Sequence, residues 1–414
     1  MSNEQAAGRR RIAYILKRFP RLSETFIANE ILSLAKKGFD IRIFSIKDPG
    51  DPLHPFVHEL MRSVSYLPEI SKRNFLSFLS AHLHSLARRP SGYVRCLVYA
   101  WKNRSKESRR KFILAGYISS VIFSEDIRHI HSHFATGSTR LAKYVHLMTG
   151  VPFSFTAHAK DIYSDRVSGK QLRRRMRLAS FVITISEYNS RYLKTIEPST
   201  RIHVIRNGIR ISDFSPNGRG HRGGDRPVIL SVGRLVEKKG FKCLVNACAA
   251  LKRAGIDFRC IIVGDGPLKS SIEAQIRALD LTECVSLEGS KTQDELLKNY
   301  YQRADVFVLP CTVAGNNDRD GIPVVLEEAM ALGIPVITSE ISGIPELVHH
   351  LETGMLTPPG DAAALSNSIQ TLLADEALRE KLTEAARKLI ETEYDVEKTS
   401  QHLANLFIGA LRDE

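Results

Sequence analysis

Short, continuous apolar runs alternate with segments of helical periodicity along this chain, and they do so twice. RIAYILKRFP (11–20) reads as a strand and turn. SETFIANEILSLAKKG (23–38) reads as a helix with Ser23 as N-cap and Gly38 as C-cap, and DIRIFSI (40–46) as the next strand. Strand, helix and strand within about 35 residues form a parallel unit. The pattern resumes with IRHIHSHF (127–134), a helix from Thr136, VPFSFTAH (151–158), a helix around 171–179 and FVITIS (181–186).

NGIRISDFSPNGRGHRGGDRP (207–227) has no periodicity and is rich in Gly, Arg, Asn and Pro, as expected of a linker. A second alternation follows, from PVILSVGRL (227–235) through FRCIIVGDG, CVSLEG and DVFVLPC to PVITS (335–339). Apolar strands separated by helices predict α/β architecture, with two doubly wound parallel-sheet (Rossmann-like) domains facing a cleft. The expected division is 1–207 for the first domain, 208–226 for the linker and 227–392 for the second domain. A C-terminal helix over 393–414 is expected to pack back on the first domain. Ligands of such sheets bind beyond the C-terminal strand ends.

Charge separates the two halves. The first 210 residues hold 37 Lys+Arg against 15 Asp+Glu, a balance of +22, and the remainder 22 against 30, a balance of −8. The first domain therefore faces an anionic partner. Residues 71–111 hold eleven Lys/Arg and one acid, Glu107. Phe75, Leu76, Phe78, Leu79, Leu83 and Leu86 recur there with helical spacing, which suits an anionic membrane surface. Two alternatives compete: burial of the apolar residues in the domain core with solvated basic residues, and nucleic-acid binding. The second ranks last, because zinc-finger spacing and RNP motifs are missing from the sequence.

Six cysteines without a Cys-x-x-Cys pair read as reduced core residues. No apolar stretch reaches the roughly 18 residues of a membrane span, and residues 1–11 lack signal-peptide order. The expectation is a cytoplasmic protein, peripheral at the inner face of the membrane.

Candidate site residues fall at the predicted strand ends. In SVGRLVEKKG (231–240), Gly233 ends a strand, and Arg234 and Lys239 precede a helix. Such a turn suits a diphosphate, since Arg grips phosphate oxygens bidentately and Lys adds a point charge. Gly264, Asp265 and Gly266 form a turn that lets a ligand approach backbone closely. Asp320, Gly321, Ile322 and Pro323 lead into a helix whose N-terminus favours anions, with Glu328 placed to hold ribose hydroxyls. Glu327 is expected to cap or solvate that helix. His158 ends the strand VPFSFTA. His129, His131 and His133 alternate along another strand without a matching carboxylate set, so no metal site is expected.

Together FPRLSETFIANEI, HSHF, FTAHAKDIY, ITISEYNSRYL, VIRNGI, VGRLVEKKG, VGDGP and DGIPVVLEEAMALGIPVI resemble the family 4 retaining glycosyltransferases of the GT-B fold, in the bacterial polysaccharide and lipopolysaccharide branch. The resemblance implies that Arg234 and Lys239 bind a donor diphosphate, Glu328 binds its ribose, and His158 lies near the transferred sugar. It also implies a nucleotide-diphosphate sugar as co-substrate without a further cofactor, and a glycan or lipid-linked acceptor. Asp320 stands where relatives carry the first glutamate of Glu-x7-Glu and is one methylene shorter. The Gly-rich first loop of many relatives is replaced here by residues that include Ser23, Glu24 and Thr25, which serve either the cleft or the helix cap. Two other readings remain open: a nucleotide-sugar epimerase or sugar phosphorylase of the same plan, and a non-catalytic basic membrane- or nucleic-acid-binding protein.

Overall fold

A computed structural model describes residues 10–21, 24–50, 55–216 and 226–412. The first domain runs β1 (Arg11–Arg18), α1 (Thr25–Lys36), β2 (Asp40–Lys47), β3 (Val64–Tyr66), α2 (Phe75–Arg88), α3 (Pro90–Asn103) and α4 (Lys106–Glu125). It continues with β4 (His129–His133), α5 (Gly137–Thr149), β5 (Phe153–Ala157), α6 (Lys160–Tyr163), α7 (Gly169–Leu178), β6 (Val182–Thr184), α8 (Glu187–Ile196) and β7 (Ile202–Val204). Its seven strands are ordered β3-β2-β1-β4-β5-β6-β7, and each pairs parallel with its neighbours.

The second domain begins with β8 (Val228–Val232), α9 (Phe241–Arg253), β9 (Arg259–Val263), α10 (Lys269–Ala278), β10 (Val285–Leu287), α11 (Gln293–Asn299) and β11 (Val306–Leu309). Then come α12 (Val324–Ala331), β12 (Val336–Ser339), β13 (Met355–Thr357), α13 (Ala362–Ala374), α14 (Glu376–Glu393) and α15 (Val396–Arg412). Its parallel order is β10-β9-β8-β11-β12-β13. The two doubly wound sheets are those the apolar alternation predicts. All four edge strands, β3, β7, β10 and β13, are three residues each.

Each face of the first sheet is covered. Phe44, Ile118, Tyr144 and Phe155 fill one side, and Ile12, Ile31, Phe39 and Phe407 the other. Phe407 belongs to α15, which crosses from the second domain and lies against α1. Its burial contributes roughly 1.5–3 kcal/mol. Two polar contacts register the helix, Ser33 to Ser400 at 2.7 Å and Lys37 to Glu397 at 2.8 Å.

Part of the expected linker is ordered structure. Ile209 N donates to Tyr394 O at 2.9 Å and Val396 N donates to Ile209 O at 3.0 Å, which ties the two interdomain crossings together. Ile209 and Phe214 are buried in the second domain's core. Apolar residues amid Gly and Arg leave no period, so sequence alone hides this packing. The domains also meet where Glu346 accepts from the backbone N–H groups of Glu187 and Tyr188, both at 2.8 Å, at the N-terminus of α8. A carboxylate at a helix N-terminus is electrostatically favoured.

Candidate functional site

A cavity of about 660 Å³ lies between the domains at the C-terminal ends of the central strands. The first domain supplies Glu24 and Thr25 at the start of α1, Thr136 and Ser138 at the start of α5, and His158 after β5. The second supplies Gly233 and Arg234 after β8, Gly264 and Asp265 after β9, and Asp320, Gly321, Ile322, Pro323 and Glu328 around the start of α12. Of the expected site residues, Ser23 lies outside the described residues. Gly266 stands behind the wall, its N–H donating to Asp265 Oδ1 at 2.6 Å.

One glycine is required by backbone approach, and a second stands against a side chain of the first domain. Gly264 has φ +147, and a Cβ there would lie 1.9 Å from Gly233 O. The turn after β9 is therefore pressed against the turn after β8, and the chain's own backbone, rather than a ligand, demands this glycine. A Cβ on Gly321 would lie 2.7 Å from Ile185 Cδ1, which brings the start of α12 close to the first domain.

Arg234 is exposed at the cavity wall, and its side chain makes no hydrogen bond or ion pair with another described residue. Lys239 does: its Nζ is 2.7 Å from Asp320 Oδ2. Lys238, absent from the sequence reading, is buried beside it and reaches Asp320 Oδ1 at 3.1 Å and Asp318 Oδ1 at 3.0 Å. Burial pushes the Asp320 carboxyl up, but the Lys239 and Lys238 ammonium groups outweigh it and hold the group well below the usual carboxylate range. Both carboxylate oxygens of Asp320 are thus engaged by lysines. The signal for Lys238 was the Asp318-x-Asp320 pair opposite Lys238-Lys239.

Glu328 faces the cavity and accepts from Gln293 Nε2 and Tyr301 OH, each at 2.8 Å. Gln293 is set by a capping box at the start of α11, where Thr292 and Glu295 exchange hydrogen bonds. Burial raises the Glu328 carboxyl to about 7 against the lowering effect of those two donors. Glu327 departs from its expected role. It is fully buried and both carboxylate oxygens lack a hydrogen-bond partner among the described residues, so it neither caps nor solvates α12. Burial, then the neighbouring Glu328, drives its pKa up and keeps it neutral.

On the other wall, Glu24 pairs with Arg21 at 2.8 Å. Although it occupies the N-cap position of α1, its side chain makes no cap hydrogen bond. Of the two expected roles for Glu24, the cleft is the one its side chain takes. His158 is buried, its backbone N–H donating to Asp161 Oδ1 at 3.2 Å. Its Nε2 lies 3.1 Å from His133 Nδ1, and His133 Nε2 lies 3.0 Å from Glu30 Oε1, which also accepts from Tyr14 OH at 2.7 Å. Burial, then the neighbouring His133, pushes the His158 pKa well down, so the imidazole is neutral. In the tautomer that donates His133 Nε2–H to the Glu30 carboxylate, the bare Nδ1 accepts from His158 Nε2–H. That leaves His158 Nδ1 with its lone pair.

The fold thus supplies the carboxylate that the histidine strand lacked in sequence. Glu30, His131 and His133 bring ligand atoms within 4.8 Å of one another. Yet His131 commits Nδ1 to Ser154 Oγ at 2.8 Å and Nε2 to Thr156 Oγ1 at 3.1 Å. Both nitrogens of His133 are likewise occupied. The cluster is a hydrogen-bonded network.

Two parallel α/β domains that share a cleft at their strand ends give the GT-B architecture. The solved structure of HepE from Anabaena with UDP and glucose has this fold, with a TM-score of 0.70, 19% identity and coverage of 95% of this chain and 98% of that one. A model described as Glycosyltransferase Family 4 matches residues 23–213, and one described as Glycosyl transferases group 1 matches residues 218–389. The amylovoran biosynthesis glycosyltransferase AmsK of Erwinia amylovora is 31% identical over 95% of this chain and 97% of its own. The putative colanic acid biosynthesis glycosyltransferase WcaL of Escherichia coli is 30% identical over 96% and 99%. The chain belongs to glycosyltransferase family 4, as a hexosyltransferase-type enzyme of polysaccharide biosynthesis.

Proposed function

We propose that this enzyme moves a sugar, with retention of anomeric configuration, from a nucleotide-diphosphate donor to a polysaccharide, lipopolysaccharide or lipid-linked acceptor at the cytoplasmic membrane face. The observation that carries this reading is the meeting of Arg234, the Lys238–Lys239 pair and the N-terminus of α12 on one wall, opposite His158 on the other. Charge develops on the diphosphate as the bond from the anomeric carbon to phosphate oxygen breaks. Preorganised cations and helix N–H groups lower that barrier. The anomeric carbon becomes oxocarbenium-like. The acceptor oxygen bonds to it on the face the diphosphate leaves, and the acceptor proton passes to the departing phosphate oxygen. No protein nucleophile is assigned.

Glu328 accepts from ribose hydroxyls in this reading, and Asp320 orders the lysines. No cofactor beyond the nucleotide sugar is assigned, and no nucleic acid. The test is a thermal-shift panel of uridine, guanosine and adenosine diphosphate sugars, followed by transfer to lipid-linked acceptors. Stabilisation by one nucleotide sugar and product with an intact anomeric configuration support the reading. Inversion, or failure of every donor to bind, removes it.

A further inference from the structure

Helices α2 and α3, away from the cleft, each carry two opposed faces. α2 buries Phe78, Ala81 and Ser85, and α3 buries Gly92, Cys96 and Ala100. On the outer faces, Leu76, Leu79 and Leu83 are 76%, 43% and 57% exposed, and Val94, Leu97 and Trp101 are 51%, 45% and 65% exposed. Both triplets follow i, i+3, i+7 spacing, so each forms one continuous stripe. The helical apolar pattern of the sequence is real, but most of it points outward rather than into the domain core. Contiguous exposed apolar surface of this kind marks an interaction site.

The surrounding charge selects the partner. Neither helix contains an acidic residue, and Lys72, Arg73, Arg88, Arg95, Lys102 and Arg104 are exposed on or beside them. Two copies meeting through this face would bring basic rims together without acids to match them. An anionic lipid leaflet satisfies both features, with acyl chains for the stripes and headgroups for the rim. We propose that α2 and α3 insert their apolar stripes into the surface of an anionic lipid leaflet. The assignment rests on the membrane-face reading above and names the surface and its mode: burial of side chains, beyond electrostatic adsorption. The pair is braced on α5. Cys96 Sγ reaches Tyr144 O at 3.4 Å and Lys143 Nζ reaches Tyr99 OH at 2.9 Å, both between α3 and α5, and the start of α5 lines the cleft.

Trp101 is the chain's single tryptophan and reports directly. With vesicles of phosphatidylethanolamine and phosphatidylglycerol, the expected result is a blue-shifted emission quenched by brominated acyl chains. Part of the binding should persist at high salt, where screening removes the electrostatic share. The combined variant Leu76→Glu, Leu83→Glu and Leu97→Glu, altered only at exposed positions, should bind roughly tenfold more weakly or less while keeping its melting temperature. An unchanged Trp spectrum, or binding abolished entirely by salt, overturns the proposal. So does dimerisation without lipid that the same variant removes, since the face would then join two copies. Nucleotide-sugar binding measured on the same samples separates the two readings. Vesicle binding without donor uptake removes the donor assignment and keeps this one, and transfer that ignores vesicles does the reverse.

Discussion

Asp320 Oδ2 lies 2.7 Å from Lys239 Nζ, at the start of α12 where the second domain faces the cleft. Its other oxygen holds Lys238 at 3.1 Å. A single carboxylate therefore fixes two adjacent ammonium groups that would otherwise repel each other. Both side chains are mostly buried, at 13% and 9% exposure, so this attraction is little screened. The shorter aspartate fits this arrangement.

Replacing Asp320 with Asn should leave two confined lysines without their shared counter-charge. Breaking a buried pair by removing one partner costs about 3–5 kcal/mol. A loss near that size is expected in urea unfolding at neutral pH. The sign with pH follows from the depressed carboxyl. Its stabilisation is present above the ordinary carboxylate range and is lost only as pH falls through the lower folded value. The difference between wild type and Asp320→Asn should thus persist through pH 5. A difference that vanished there would contradict the ion-pair geometry.

Arg234→Ala tests the opposite property, since the Arg234 side chain is exposed and holds no other described residue. The melting temperature of the variant should match wild type. Turnover should fall by roughly 100-fold, the scale for losing one donor aimed at developing charge. Arg234→Lys should recover only part of it, because a point charge cannot bind two oxygens in parallel. Unchanged turnover in Arg234→Ala would remove the diphosphate assignment.

Much of this was legible in the sequence, and the limits have physical causes. Arg234, Lys239, Asp320 and His158 stand at predicted strand ends, and strand ends are where parallel sheets place ligands, so order along the chain located the cleft. Glu30 was invisible because nothing in FIANEI says that its carboxylate will meet His133, 103 positions away. Lys238 is not distinguished from Lys239 in the sequence, because two adjacent lysines look alike until the three-residue helical turn at Glu237–Lys239 points both at Asp320. Burial of Glu327 also escaped, because a charged residue on a short helix reads as solvated until both sides of the helix are covered.

Glu328 sets a pH dependence for donor binding. Its carboxyl, raised to about 7 by burial, is a much stronger acceptor for a ribose hydroxyl when ionised than when protonated. Donor affinity should weaken as pH falls below about 7, approaching tenfold per pH unit, and level off above it. Glu328→Gln should bind weakly with a flat profile. Calorimetry with the nucleoside diphosphate from pH 6 to 8.5 reads both, and a flat wild-type profile would count against the assignment.

Glu30 acts on the site through two imidazoles. Its carboxylate holds His133 Nε2–H, which presents His133 Nδ1 to His158 Nε2–H and leaves the His158 Nδ1 lone pair in place. In Glu30→Gln the amide offers N–H as well as C=O, so His133 can turn its protonated nitrogen toward His158. That reverses the tautomer of the second ring. Losing a hydrogen bond to a charged acceptor costs about 1.5–3 kcal/mol, or roughly 10- to 100-fold in rate if the His158 tautomer matters to transfer. Donor KM should change less than kcat, because Glu30 lies across the cleft from the diphosphate wall. Nitrogen NMR of labelled histidine gives the readout that a merely structural role would leave still. The His158 Nδ1 and Nε2 shifts should exchange character in Glu30→Gln, whatever the change in melting temperature. A variant with low turnover and unaltered histidine shifts would show that Glu30 serves stability rather than the imidazole pair.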